Sequence, residues 1–316
     1  MNKSNFKILR AGINTTYQDL GRKNLYHIGI PFSGAMDQRN YIIANTLVGN
    51  EKNTPVIEFA YQGPLLKLNG EKICFAISGD VTFNIIRKDL KLEQGNCYQT
   101  YSLEENEQID ILSTNKSVYG YLAINGEFNV KSFWNSCSTN TKAKIGPNDG
   151  EKLDRGDSIE IIKSKNSILN RKINYLNTKI EQIRVIPGTN YNYFSEEGKK
   201  IFLTKTFTVS KLTDRMGMRL EGSKIENIVD TNIKSEGLIK GVIQVPADGN
   251  PIIMLSDHGT IGGYPKIGVV ISADYDKLVQ LTPGSKIKFK EVNLFDAENL
   301  FKLYNMETQN IIDQII

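Results

Sequence analysis

Short apolar runs separated by glycine, asparagine and aspartate recur along the whole chain. They are rich in isoleucine, valine, phenylalanine and tyrosine, as in residues 72–79, 119–126, 207–212 and 252–257. Runs of this length, bounded by turn residues, are typical of β-strands, and their regular spacing is typical of a sandwich or a barrel. The pattern therefore predicts a mainly β protein.

Two segments follow a helical period instead. The first follows Asp37, a residue type that caps helix N-termini, and stops at Gly49. Its apolar face would contain Tyr41, Ala44, Leu47 and Val48. The second starts at about Asp296 and is expected to continue towards Ile311, Ile312 and Ile315. We expect both helices to flank or plug the β core.

Two short sequence patterns each occur twice along the chain, with partial similarity between the copies. Residues 153–161 read L-x-x-G-D-x-I-x-I, and residues 281–289 read L-x-x-G-S-x-I-x-F. Upstream, residues 16–25 and 211–220 both place an acid, a basic residue and a glycine in one short turn. The shared order of these pairs predicts two similar barrels in tandem.

The segment between the repeats is polar and basic, which is typical of a linker. We therefore predict an N-terminal barrel over residues 1–165, a linker over 166–182, and a C-terminal barrel with its helix over 183–316. A length of 316 residues also favours two domains.

Composition narrows the function. The chain is 40% hydrophobic and 23% charged, with a net charge of +4 spread among interleaved acids and bases, which disfavours nucleic acid as a partner. No apolar block resembles a signal peptide or a membrane span, so we expect a cytoplasmic protein. Three separated cysteines and two histidines disfavour a disulfide framework and a metal centre.

The first candidate loop spans residues 18–40 and leads into the first predicted helix. Free N–H groups at a helix N-terminus bind oxyanions, so Ser33 and the N–H of Gly34 are candidate ligand contacts. The alternative is structural: the glycines serve turns, and Asp19 pairs with Arg22 across one of them.

The second candidate loop spans residues 213–222. Arg215 and Arg219 could each grip a carboxylate or phosphate, with Asp214 orienting one of them. A surface ion pair is the competing interpretation. We favour a functional role for Asp214 and Arg215 only.

The third candidate loop spans residues 244–266 and contains four glycines, three prolines and one histidine. Its glycines would let backbone N–H groups approach an anion, and the residues we favour for this are Gly262, Gly263 and Lys266. His258 is a candidate base, because imidazole titrates near neutrality. Neighbours on a strand point to opposite faces, so Asp257 is not expected to orient it.

No P-loop, nucleophile elbow, HExxH or dinucleotide-binding fingerprint is present in the sequence, and neither is a biotin attachment site.

The chain nevertheless resembles the biotin-dependent carboxyltransferase domain family from about residue 10 to residue 292. The resemblance lies in the ordered motifs T-x-x-Q-D-x-G-R, G-I-P-x-S-G-A-M-D, D-R-M-G-x-R-L-x-G and T-x-G-G-Y-P-K-I. This resemblance implies two cyclophilin-like β-barrels, with the first and third loops facing one cleft.

The resemblance also implies a function, namely that of the C component (KipA or PxpC) of an ATP-dependent 5-oxoprolinase. Such a component works with a KipI-like (PxpB) component and a LamB/YcsF-like (PxpA) component, and it binds no nucleic acid or membrane. One alternative is a carboxyltransferase acting on urea or a related amide, with biotin carried by another chain. A second alternative is a binding module that sequesters a KipI-like regulator. Which chain binds ATP stays open.

Under the first of these functions, the site must hold a carboxylate, a phosphorylated oxygen and developing oxyanions. The expected cations are Arg22, Arg215 and Lys266. The expected N–H donors are Ser33, Gly34, Gly262 and Gly263. The expected bases are Asp19, Asp37, Asp248 and His258. Further substrate contacts are expected from Gln18, Asp214, Gln244 and Tyr264.

Overall fold

The computed structural model describes residues 4–164, 170–175, 180 and 182–315. The chain divides into two compact units, of which the first contains Met1–Arg22, Ser33–Asn177 and Thr308–Ile316, and the second contains Lys23–Phe32 and Thr178–Glu307. Of the predicted linker, residues 166–169, 176–179 and 181 lie outside the described residues. The linker bounds therefore stay a prediction.

In its described residues, the first unit contains two antiparallel sheets and one complete α-helix, α1 (Gln38–Leu47). The end of a further helix, from Thr308 onward, also belongs to this unit. Its strands are β1 (Asn5–Arg10), β2 (Asn14–Gln18), β3 (Val56–Ala60), β4 (Leu65–Asn69), β5 (Ile73–Ser78), β6 (Val81–Ile86), β7 (Leu92–Gly95), β8 (Thr100–Leu103), β9 (Gln108–Thr114), β10 (Tyr119–Ile124), β11 (Gly126–Phe128) and β12 (Ser158–Lys163). One sheet has the order β11-β12-β1-β4-β9-β6-β7 and the other has the order β2-β3-β10-β5-β8.

Both sheets contribute to one hydrophobic core. It includes Phe6 and Phe83 of the larger sheet and Phe59, Phe75 and Leu122 of the smaller one. Strand β6 alternates buried and half-buried residues, as expected of a strand with one face on the core. Strands β3, β5 and β10 are buried at every position, because α1 packs on the smaller sheet against β5 and β10.

The second unit is a closed barrel with the strand order β13-β20-β17-β18-β15-β14-β21. Its strands, including the pair β16 and β19 outside the barrel, are β13 (Gln182–Pro187), β14 (Phe207–Val209), β15 (Gly217–Glu221), β16 (Glu236–Gly237), β17 (Val242–Gln244), β18 (Ile252–Met254), β19 (Ile261–Gly262), β20 (Lys266–Val270) and β21 (Lys286–Glu291). Its helices are α2 (Glu196–Thr204), α3 (Ser272–Leu278) and α4 (Leu294–Asp313). The barrel closes where β13 runs parallel to β21.

The mainly β class with few helices is confirmed. Both predicted helices exist: α1 begins after Asp37 and ends before Gly49, and α4 begins two residues before Asp296 and includes Ile311 and Ile312. Helices α2 and α3 were not predicted from the sequence. Among the described residues, none of the helices combines the length and the apolarity that crossing a bilayer requires.

The internal repeat corresponds to the same local structure in both units. Gly156 donates from its N–H to the Ile8 carbonyl, and Ile8 donates to the carbonyl of Asp157. Gly284 and Val209 make the same pair of bonds, with Ser285 as the acceptor that corresponds to Asp157. Both glycines have positive φ, at 98° and 87°. Each repeat is therefore a glycine turn that docks on an earlier strand and starts a closing strand.

Candidate functional site

Asp19 anchors the candidate site of the first unit. It follows β2, is buried, and accepts hydrogen bonds from Ser136 Oγ at 2.7 Å, Ser138 Oγ at 2.6 Å, Cys137 N at 2.6 Å and Gly21 N at 2.8 Å. Four donors fill most of the acceptor capacity of a carboxylate. This arrangement favours Asp19 as the anchor of residues 136–138 over the predicted role of a base.

The other predicted residues of the first loop lie around the same anchor. Arg22 is 2% exposed and donates to the carbonyl of Ser138. Ser33 has a φ of 58°, and its hydroxyl accepts from the Asn140 amide at 3.1 Å. Gly34 has a φ of 85°, and a Cβ at this position would lie 2.9 Å from the backbone nitrogen of Gly21. Only glycine fits this close backbone approach.

Gln18 and Thr139 carry two buried polar atoms with no hydrogen-bond partner among the described residues, Gln18 Oε1 and Thr139 Oγ1. The Gln18 Nε2 donates to Thr16 Oγ1 at 3.0 Å and to the Thr139 carbonyl at 2.9 Å, which fixes the direction of the amide. An unmet buried polar atom costs about 1–3 kcal/mol, and such atoms occur where a ligand or water is held.

The loop of residues 133–150 supplies most partners of this site, and no sequence motif identifies it. Five of its non-glycine residues have φ between 51° and 59°: Trp134, Asn135, Lys144, Asn148 and Asp149. Each such conformation costs on the order of 1 kcal/mol or more, and clusters of them are typical of functional sites. Because neither position 134 nor position 135 is a glycine, the sequence does not indicate that the backbone has positive φ there.

The N-terminus of α1 is filled by protein groups. Asp37 is its N-cap and accepts from Asn40 N at 3.0 Å and from the Asn40 amide at 2.6 Å. The N–H groups of Asp37 and Met36 donate to the Tyr121 hydroxyl and to Glu58, both at 2.8 Å. Burial raises the pKa of Tyr121 well above its ordinary value. These contacts favour a structural role for Asp37 over the predicted one as a base.

In the second unit, Arg215 and Asp257 form a buried two-pronged ion pair. The Arg215 Nε lies 2.8 Å from one oxygen of Asp257, and its Nη2 lies 3.0 Å from the other. Both side chains are less than one tenth exposed. The partner of Arg215 is therefore Asp257 and not the predicted Asp214. Because the Asp257 side chain pairs with Arg215, it does not orient His258, as expected. The reason differs from the one expected, because both residues lie in a turn after β18 and not on a strand.

Two predicted acids lie at exposed turns instead. Asp214 accepts from the backbone N–H of Met216 at 2.8 Å, and Asp248 accepts from the backbone and side chain of Asn250 at 3.1 and 2.9 Å. Side-chain bonds of this kind stabilise turns. The structure does not bring either acid into a buried cluster, and it supports a local structural role for both.

His258 is buried and makes one contact through each ring nitrogen. Its Nδ1 lies 2.6 Å from the Gly259 carbonyl, and its Nε2 lies 3.3 Å from the Tyr26 hydroxyl, with the two rings stacked at 5.8 Å. Burial lowers the pKa of His258 and raises that of Tyr26. A neutral imidazole that donates from Nδ1 and accepts at Nε2 fits these contacts. Tyr26 was not predicted.

Lys266 lies on β20 and is 3% exposed. Its ammonium donates to Glu236 and, at 3.2 Å, to Asn190 Oδ1. The hydrogen bond from Lys266 lowers the pKa of Glu236. The predicted cation therefore has a counter-ion on β16 that was not predicted.

Gln244, Gly262 and Gly263 are further predicted residues of the third loop. Gln244 is buried and donates to the Tyr264 carbonyl at 3.1 Å. At Gly262 a Cβ would lie 2.7 Å from the Gln244 amide nitrogen, so the glycine gives this amide its space. The carbonyl of Gly263 accepts from Ile233 N at 2.9 Å. The Gln244 side chain and the backbone at Ile233 therefore hold this part of the loop.

The three cysteines offer no activated nucleophile. Burial raises the pKa of Cys74, Cys97 and Cys137 to about 11 in each case. A thiol with such a pKa is almost fully protonated at neutral pH. Across the part of the chain that the structure describes, no group of three or more His, Cys, Asp or Glu residues could hold a metal ion.

Comparison with known proteins supports the motif resemblance. Residues 28–291 match the family described as carboxyltransferase domain, subdomain A and B. The chain is 32% identical to the C component of 5-oxoprolinase from Escherichia coli (strain K12) over 293 residues, 92% of each chain. It is 32% identical to the same component from Haemophilus influenzae over 311 residues, 97% of this chain and 98% of that one. The crystal structure of K. lactis urea amidolyase matches with a TM-score of 0.88 and 24% identity, over 100% of this chain and 21% of that one.

Proposed function

The chain belongs to the carboxyltransferase domain family, and on that premise we propose that it is the C component of an ATP-dependent 5-oxoprolinase. The observation that carries the proposal is the match to two bacterial proteins of that name over nearly the whole length of both chains. The proposed reaction opens the lactam of 5-oxo-L-proline to give L-glutamate. The partners would be a KipI-like and a LamB/YcsF-like subunit in the cytoplasm.

The lactam amide is hard to cleave because resonance makes its carbonyl carbon a poor electrophile. Transfer of the terminal phosphoryl group of ATP to the amide oxygen would make the ring carbon electrophilic enough for water to add. The adduct would then break its C–N bond, with a proton going to the nitrogen, and the resulting acyl phosphate would be hydrolysed by a second water to glutamate and phosphate. Such a reaction needs fixed donors and cations placed where negative charge develops. This chain would supply these groups, while ATP binds at this or another subunit.

In the first unit, Gln18 is the residue we assign to ligand binding. Its buried Oε1 needs a donor, for which an N–H group is of suitable chemistry. The Thr139 hydroxyl, also without a partner among the described residues, could donate to an oxygen of the same molecule. Arg22 would add a positive charge beside these two polar atoms.

In the second unit, the neutral His258 is the candidate base. Its Nε2 accepts a hydrogen bond from the Tyr26 hydroxyl. A proton taken up at Nε2 would weaken this bond, and Nε2–H would then donate to the Tyr26 oxygen. Arg215 and Lys266 each have a carboxylate counter-ion, so they would position loops and add donors without adding a full net charge.

The test is reconstitution with the two partner subunits, followed by measurement of ATP-dependent glutamate release from 5-oxoproline. We expect Arg215→Ala and Lys266→Ala to lower turnover by about a hundredfold or more. The exposed Arg155→Ala and Lys288→Ala serve as matched controls and should retain full turnover. Full activity in both Arg215→Ala and Lys266→Ala would show that the site assignment is wrong.

The second candidate function is transfer of a carboxyl group to urea or a related amide. The fold that the chain shares with K. lactis urea amidolyase favours it. This reaction would require biotin on another chain. Turnover that depends on a biotinylated partner and stops when avidin is added would favour the carboxyltransferase, whereas insensitivity to avidin would favour the 5-oxoprolinase.

A further inference from the structure

Lys240 lies just before β17 and places its ammonium against two aromatic rings. The Nζ is 4.2 Å from the centre of the Tyr275 ring and 5.9 Å from the centre of the Phe32 ring. Within the described ranges of the chain, Lys240 has no hydrogen bond and no ion pair. No sequence motif points to this residue.

Lys240 is half-buried, so water and the protein share the compensation of its charge. Removal of an ammonium from water is costly unless an anion pairs with it, and the faces of two aromatic rings return only part of that cost. Burial accordingly lowers the pKa of Lys240, while the charge of Asp276 acts in the opposite direction. Asp276 itself accepts a hydrogen bond from Tyr304. Asp276 therefore acts on the ammonium without a direct ion pair, and no carboxylate of the described residues pairs with Lys240 directly.

The polar groups around Lys240 add donors and no further net charge. The ammonium lies close enough to His258 to help lower the pKa of that imidazole. The Tyr275 hydroxyl lies 3.3 Å from Ser256 Oγ, and burial raises the pKa of this phenol, which stays protonated. One cation with neutral donors and the Asp276 carboxylate nearby suits a monoanion better than a phosphate dianion, because a second negative charge would add repulsion from Asp276.

We propose that Lys240 binds the carboxylate of a small monocarboxylate substrate. On the proposed function, which this inference extends, the ligand group is the carboxylate of 5-oxoproline. Lys240 then distinguishes 5-oxoproline from 2-pyrrolidinone, the same lactam without the carboxylate. It is a binding residue and not a base.

The first experiment needs neither ATP nor partner subunits. The purified chain is acetylated with a trace of acetic anhydride, and the modification of each lysine is quantified by mass spectrometry. We expect 5-oxoproline to protect Lys240 severalfold and 2-pyrrolidinone to leave it unprotected. The exposed Lys211 is the internal control and should be modified equally in all samples. Equal modification of Lys240 with and without 5-oxoproline overturns the proposal.

The second experiment measures the affinity of the chain for 5-oxoproline by calorimetry. We expect Lys240→Gln to weaken binding by about tenfold or more, because a charge-assisted hydrogen bond is lost. Lys240→Arg should restore most of the affinity, and Lys211→Gln should behave as the wild type. Wild-type affinity in Lys240→Gln overturns the proposal.

Failure of the proposed function gives a different result. If the reconstituted complex releases no glutamate but 5-oxoproline still protects Lys240, the carboxylate site stands and the 5-oxoprolinase assignment falls. If the complex is active and Lys240→Gln leaves the KM for 5-oxoproline unchanged, the function stands and the carboxylate site falls.

Discussion

Asp19→Asn tests whether the Asp19 anchor holds the 133–150 loop. The aspartate accepts four short hydrogen bonds, three of them from Ser136, Cys137 and Ser138. Oδ1 accepts three of these bonds and Oδ2 accepts only that from Cys137 N, so asparagine keeps its oxygen at Oδ1 and turns its NH2 group towards Cys137 N. One charge-assisted bond is lost at about 1.5–3 kcal/mol, and the other three become weaker neutral bonds.

Relaxation of the loop recovers part of this energy, so we expect a loss of about 3 kcal/mol in the free energy of unfolding of the first unit. For a domain of this size such a loss lowers the melting temperature by about 6–12 °C. Trp134, the only tryptophan in the chain, lies two residues before Ser136. Its fluorescence therefore reports urea unfolding of the first unit alone.

The control is Asp89→Asn, which changes an exposed turn aspartate that accepts one bond, from Lys91 N at 3.1 Å. We expect this variant to stay within about 0.5 kcal/mol of the wild type. An equally small effect of Asp19→Asn would refute the inference that Asp19 fixes the loop.

Three further predictions concern the two units. Arg215→Leu leaves the Asp257 carboxylate buried without its partner and should cost about 3–5 kcal/mol in denaturant unfolding, most of which Asp257→Leu added to Arg215→Leu should recover. Gly34→Ala should cost about 1–3 kcal/mol, and more than Gly156→Ala, because both have positive φ but only at Gly34 does the new Cβ meet backbone, at 2.9 Å; equal losses would contradict the steric argument. Burial lowers the folded-state pKa of His258 below 6.5, so neutral His258 adds to the free energy of unfolding above pH 6.5, and this contribution is lost as the pH falls through the folded-state value. His258→Asn should therefore make the free energy of unfolding less dependent on pH in that acidic range, and His27→Asn should not.

The elements that could be predicted from the sequence are those whose signals are local. Helix α1 has an N-cap and a glycine stop, and both occupy the predicted places at Asp37 and Gly49. The two repeats were also visible, because a glycine turn before a closing strand needs positive φ at Gly156 and Gly284. Helices α2 and α3 were missed because each is shorter than ten residues and stands between strand-like runs.

The site depended on contacts that sequence distance conceals. Asp19 and Arg22 were recognised as an acid and a base in one turn, but their partners lie more than 110 residues later in a loop without a motif. Asp214 was expected to orient Arg215 or Arg219, whereas tertiary packing pairs Arg215 with Asp257. Lys240 carried no signal at all, because its environment is made by aromatic rings from distant segments.

Residues 23–32 belong to the second unit and residues 308–316 to the first, so each end of the chain carries a segment of the other unit. During translation the first unit can complete its fold only after the last residues have left the ribosome, since Thr308 accepts a hydrogen bond from Arg39 at 2.9 Å. A gene split after residue 177 would give two fragments that each lack a strip of their own unit. Independent expression of the halves should therefore fail where co-expression succeeds, because each fragment carries the segment that the other one lacks.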